Sequence, residues 1–131
     1  MEQLTFSELL KADCVKNHSD TSLTFENAVD ILLTAIANGS RIQRFGNTIF
    51  LYRPHGDSGL EFHSINADNG DQLAINFKML VEKARSIGYK YITTFYDNPR
   101  VSEVLEASGV EHEVKKIDQG KYNTYQMIAR F

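Results

Sequence analysis

The sequence predicts a single α/β domain, on three observations: its length, a switch between helical and strand periodicities along it, and a helical stretch set between two strand-like runs. A chain of 131 residues is near the commonest size of one domain, so one core spanning 1–131 is expected. With 42% hydrophobic and 24% charged residues it has the composition of an ordinary globular protein, which excludes disorder as its overall state.

The first element is a helix from about Ser7 to Lys16, with a thin apolar stripe of Leu9, Leu10 and Val15. A polar connection, Asn17 to Ser22, follows. Thr24 can cap a second helix, with Glu26 in its first turn and Ala28, Val29, Leu32, Leu33 and Ile36 at helical spacing; Asn38-Gly39 stops it. From Arg41 the pattern becomes that of a hairpin around Gly46-Asn47, and Arg53 to Gly59 has the Pro, Gly and Asp content of a loop. In a third strand, Leu60, Phe62 and Ser64 alternate with Glu61, His63 and Ile65.

After a loop from Asn66 to Asp71, residues Leu73, Phe77, Leu80, Val81, Ala84 and Ile87 form one face of a helix that Gly88 ends. Tyr91 to Tyr96 is a β-branched and aromatic run, read as a central strand. Asn98-Pro99 starts a further helix, because the asparagine oxygen accepts an early N–H and proline loses none. Val101, Val104 and Leu105 face inward, and Gly109 closes it. Glu111 to Ile117, a turn near Gln119-Gly120, and Tyr122 to Phe131 complete a second hairpin. The expected order is ααβββαβαββ, with helices on both faces of a mixed sheet. The crossover helix makes the third and fourth strands parallel.

Two spacings carry a family resemblance. Ala84 and Gly88 stand as Ala-x-x-x-Gly at the end of the crossover helix; Asn98, Val101, Leu105, Gly109 and Val110 keep the spacing of a strand-end asparagine followed by a helix and a glycine. From Leu60 to Val110 the chain resembles the GNAT acetyltransferase superfamily, minus that fold's usual first strand. The resemblance implies acyl-coenzyme A between the splayed parallel strands. Its pyrophosphate would lie on the N–H groups of an Arg/Gln-x-x-Gly-x-Gly/Ala turn, where bare backbone and a helix amino terminus favour phosphate.

The matching segment here is Asp68-Asn69-Gly70-Asp71-Gln72-Leu73, with one glycine, no arginine and two carboxylates. Each carboxylate at about 4 to 6 Å from a phosphate charge opposes binding by about 1 to 3 kcal/mol, and Leu73 adds bulk. The coenzyme positions that the resemblance implies are Asn66, Asp68, Asn69, Gly70, Asp71, Gln72, Leu73 and Asn98. The tyrosine that protonates a departing thiolate in similar enzymes falls on Leu105, which has no proton to give. Glu61 lies where similar enzymes carry a carboxylate base, although strand alternation also reads it as an outward, solvated side chain.

These departures predict a degenerate site with no cofactor, in a non-catalytic domain acting through a protein partner. The chain is similar in this to GNAT-like proteins of tailed phages, which implies a role in the virion or its assembly. The alternative is an N-acetyltransferase using acetyl-coenzyme A with a modified pocket, Glu61 as base and the Asn66–Leu73 backbone as phosphate cradle. A third possibility fills the same cleft with a less anionic small molecule.

Other constellations read as structural. An EF-hand glycine at Gly70 would put Ile65 at the first ligand position, so calcium is not expected, and Asp68 and Asp71 read as helix caps. His55, Asp57 and His63 lack zinc spacing, and no metal is predicted. His18 and His112 are isolated. Cys14, the only cysteine, reads as a small core residue and allows no internal disulfide. Tyr91, Phe95, Tyr96, Tyr122 and Tyr125 read as packing residues, and Lys115-Lys116 with Lys121 as a solvated patch. A net charge of -3 with dispersed basic residues predicts no nucleic-acid partner. No run approaches the roughly 20 apolar residues of a membrane span, and the expected location is the cytoplasm, or the host cytoplasm or virion if phage-encoded.

Overall fold

The structure is a computed structural model that describes residues 3–17, 24–96, 100–119 and 122–131. Its elements run α1 (Phe6–Asn17), α2 (Phe25–Ala37), β1 (Arg41–Phe45), β2 (Thr48–His55), β3 (Gly59–Asn66), α3 (Gly70–Ile87), β4 (Tyr91–Tyr96), α4 (Arg100–Ala107), β5 (Glu113–Gln119) and β6 (Tyr122–Arg130). This is the order the sequence predicts. The strands make one sheet in the order β1-β2-β3-β4-β6-β5, parallel between β3 and β4 and antiparallel at every other pairing.

Alternation along the strands divides the sheet into two faces. Phe50, Leu60, Phe62, Ile92, Met127 and Ala129 point to the face on which Phe77, Leu80, Val81 and Ala84 of α3 and Leu105 of α4 complete the main core. Ile49, one residue from Phe50 and so on the other face, is equally buried. The helix against β3 is α1, with Leu9 and Leu10 buried. At the level of Ile49 and Phe50 the sheet is therefore covered on both sides.

Helix α1 begins in a capping box. The Glu8 N–H donates to the Thr5 hydroxyl at 3.2 Å and the Thr5 N–H donates to the Glu8 carboxylate at 3.0 Å, the Thr-x-x-Glu exchange that satisfies two free donors of a helix terminus. The backbone bond from Thr5, then its hydroxyl, hold the Glu8 carboxyl below its ordinary value. Helix α2 is capped by Thr24, which accepts from the Asn27 N–H. Thr24 is the cap that the sequence predicts for α2.

The β2–β3 hairpin is tighter than the sequence suggests. Residues Arg53 to His55, expected in a loop, pair with Glu61, Leu60 and Gly59, and the turn shrinks to Gly56, Asp57 and Ser58. Proline is tolerated in β2 because the ladder with β1 ends at Tyr52, leaving Pro54 no partner on that side to disappoint. The turn is fastened by Tyr91 at the start of β4. Its hydroxyl donates to the His55 carbonyl at 3.0 Å and meets His55 Nδ1 at 2.8 Å, and its ring lies where a Cβ on Gly59 would be, 2.1 Å from the nearest ring carbon.

Replacing Gly59 with Ala displaces the Tyr91 ring and should lower stability by about 1 to 3 kcal/mol in denaturant melts, whereas Gly70→Ala, with nothing within 4 Å of the new Cβ, should stay within about 0.5 kcal/mol. Because the Glu8 carboxyl is lowered on folding, its contribution is present above the ordinary glutamate value and is lost as pH falls through the lowered one. The pH dependence of α1 helicity should therefore shrink in Glu8→Gln, and an unchanged profile would contradict the capping box.

Candidate functional site

The parallel pair β3 and β4 separates partway along. Its register covers Gly59 with Tyr91, Leu60 with Ile92 and Glu61 with Thr93, while β3 continues to Asn66 and β4 to Tyr96. The Thr94 hydroxyl donates to the Phe62 carbonyl at 2.6 Å, taking the place of the next ladder bond, and beyond it the strands diverge. The opening lies beside the β3–α3 connection. The amino end of α3 lies on the β3 side.

Glu61 stands at the last paired rung. It is 6% exposed, which corrects the expectation of a solvated side chain. The alternation is right, but its face is shielded by polar neighbours: Arg53 Nε donates to Glu61 Oε2 at 2.8 Å, and His63 Nε2 lies 3.6 Å from the same oxygen. On the adjacent strand the Thr93 hydroxyl donates to the Met127 carbonyl at 2.7 Å and accepts from Gln126 Nε2 at 3.1 Å. A buried carboxylate here can accept a proton or orient a cationic group.

Asp68 is the larger correction. The sequence directs it, with Asp71, toward an incoming phosphate; instead it is 3% exposed and turned into the protein. Its Oδ2 accepts from the Asn47 N–H at 3.0 Å, the Thr48 hydroxyl at 2.8 Å and Asn76 Nδ2 at 3.0 Å. Asn76, 1% exposed, also donates to the Phe45 carbonyl at 3.1 Å and accepts from Gln72 Nε2 at 2.9 Å. These bonds bind the β1–β2 turn to the first turns of α3. The reason is desolvation: a carboxylate leaves water only where donors replace it, and the turn supplies them.

The cap of α3 is Asn69, not Asp68 or Asp71. Asn69 Oδ1 accepts from the Gln72 N–H at 2.8 Å, and the Asn69 carbonyl takes the Leu73 N–H at 2.9 Å. Upstream, the Asn66 N–H donates to Asp13 Oδ1 at 3.0 Å and the Ala67 N–H to the Asn47 carbonyl at 2.9 Å. Asp71 is exposed in the first turn, Gly70 is exposed, and Gln72 and Leu73 are half-buried. Asn98 lies outside the described residues, so its place at the cleft stays an expectation.

Leu105 is 3% exposed inside the core cluster, well packed but chemically inert. One turn earlier, Ser102 meets the Tyr96 hydroxyl at 2.8 Å, and the Tyr96 ring stacks on Tyr125 at 5.5 Å. The sequence marks Tyr96 only as a packing residue and gives no role to Asn76 or Ser102. Asn76 left a signal: it stands on the apolar stripe between Leu73 and Leu80, where an unpartnered amide would be costly.

Among the described residues no group of three or more His, Cys, Asp or Glu could hold a metal. His55 is engaged with Tyr91. Burial, and then the neighbouring Asp13, push the Cys14 thiol up. No described helix is long and apolar enough to cross a membrane.

No family model matches the sequence, and no curated protein matches it. Solved structures do. Ribosomal-protein-alanine N-acetyltransferase from Brucella melitensis is 18% identical, covers 99% of this chain and 98% of its own, and gives a TM-score of 0.57. A GNAT-family acetyltransferase from Bacillus anthracis gives 0.61 at 11% identity, covering 95% and 85%. A GNAT-superfamily phosphinothricin acetyltransferase from Sinorhizobium meliloti, solved in complex with AcCoA, gives 0.58 at 13% identity, covering 99% and 86%. At such identities the likeness shows the fold alone.

Removing the Asp68 carboxylate strands buried donors, so Asp68→Ala should cost about 3 kcal/mol or more in urea unfolding; a loss under about 1 kcal/mol would contradict its buried role. Because its thiolate is disfavoured, Cys14 should react with iodoacetamide more slowly than a free cysteine peptide at neutral pH, and more readily as pH rises.

Proposed function

Starting from a chain with the GNAT acetyltransferase fold, we propose that this acetyltransferase-like domain does not hold acyl-coenzyme A in the manner of its fold relatives and acts through its surfaces in protein interaction or assembly. The observation that carries this reading is the Asn69 cap. A helix amino terminus attracts phosphate because its first N–H groups lack partners. Here Asn69 Oδ1 already lies on the Gln72 N–H, and Asn66 and Ala67 spend their N–H groups on Asp13 and Asn47.

The electrostatic objection narrows to Asp71. Exposed in the first turn of α3, it suits the helix dipole and repels a polyphosphate approaching the same end. Leu73 stands where the fold's phosphate turn would carry a second glycine, and Leu105 offers no acid. The residues present therefore do not fit the coenzyme's pyrophosphate. The specific role proposed, on the sequence resemblance, is service to a tailed-phage virion or its assembly, with the host cytoplasm or the particle as location.

One observation favours an acetyltransferase with a modified pocket: the burial of Glu61 at the rung where β3 and β4 part. Thermal melts with millimolar acetyl-coenzyme A separate the readings. The proposed one expects no shift for the natural sequence and a gain of binding in Asn69→Gly/Asp71→Gly. A rise of several degrees for the natural sequence, with amine acetylation that Glu61→Gln slows, would replace it with the enzyme.

A further inference from the structure

We infer that two copies of this chain join through β5, antiparallel and centred on Val114, to continue the sheet across a twofold axis. Strand β5 ends the sheet and pairs on one side with β6. Its residues Glu113, Val114, Lys115 and Lys116 are all exposed. An edge strand of this kind presents backbone donors and acceptors that another strand can complete.

Charge complementarity argues for a second copy as the occupant, and sets a register centred on Val114 apart from its immediate neighbours. In an antiparallel pair, residues directly opposite share a face, so a twofold axis perpendicular to the sheet must be centred on a residue. Centred on Val114, it sets Glu113 against Lys115 of the partner subunit, and Lys115 against Glu113 of the partner subunit. On the opposite face the two Val114 side chains meet. Centring on Glu113 opposes two carboxylates, and centring on Lys115 opposes two ammonium groups. A step either way therefore sets like charges against each other on the axis.

The internal pair leaves room for this contact. Arg130 Nη1 holds Glu113 Oε1 at 2.7 Å, so the second carboxylate oxygen is available to a lysine from across the axis. The other edge offers no equivalent. Strand β1, Arg41-Ile42-Gln43-Arg44-Phe45, contains arginines and no carboxylate, and no register of it with itself forms a complementary pair. The inference is independent of whether the cleft takes a coenzyme.

Charge reversal tests it by sedimentation velocity and light scattering. The natural sequence should dimerise, and Lys115→Glu and Glu113→Lys should each weaken the dimer by about tenfold or more. Mixed in equal amounts, the two variants should restore a dimer, because each then faces its opposite; this recovery also shows that both are folded. In a Cys14→Ser background, Val114→Cys should oxidise to a covalent dimer more readily than Lys115→Cys, since the cysteine on the axis meets its copy across opposed strands. A protein that stays monomeric at millimolar concentration, a dimer indifferent to both reversals, or variants that remain monomeric when mixed would overturn the proposal.

Discussion

The buried carboxylate of Asp68 decides how the β3–α3 connection is arranged. By accepting from Asn47, Thr48 and Asn76 it fastens the β1–β2 turn to α3. Removing a carboxylate from water is tolerated only where such donors replace the lost hydration. The next residue inherits the consequence: with residue 68 held inward, Asn69 stands at the helix entrance and its amide closes the cap on Gln72. Of the first N–H groups of α3, that of Gln72 is taken by the chain itself.

The same network reaches the amino-terminal helices. The Leu4 N–H donates to Asn47 Oδ1, and Arg44 donates to that oxygen and to the Leu4 carbonyl. On the adjoining side Asp13 of α1 accepts the Asn66 N–H. One end of the sheet is thus sealed by polar bonds from α1, the β1–β2 turn and α3, while the other is closed by Tyr91 on the β2–β3 turn. The cleft between β3 and β4 opens at the sealed polar end. At that end Asn69 caps α3, and Leu105 lies buried in the core.

Much of the fold was legible because it rests on local periodicity. The α3 stripe from Leu73 to Ile87, its stop at Gly88 and the β-branched run of β4 follow from side-chain spacing and backbone preference. What escaped depends on distant contacts. The direction of the Asp68 carboxylate is hard to read locally, since two of its three donors, Asn47 and Thr48, lie about twenty residues back in the chain. For Glu61 the parity was right and the assumption of an open face was wrong, because central strands are covered on both sides. Pro54 looked like a loop residue because the end of the β1 ladder cannot be seen from β2 alone.

At the amino end of α3 its own asparagine already takes the Gln72 N–H. Backbone amide spectra recorded while coenzyme A is added read this at the atoms concerned. Resonances of Gly70, Asp71 and Gln72 that stay in place at millimolar coenzyme agree with a self-capped terminus. Large, saturable shifts confined to those amides would mean that the phosphates displace the cap, and would contradict it.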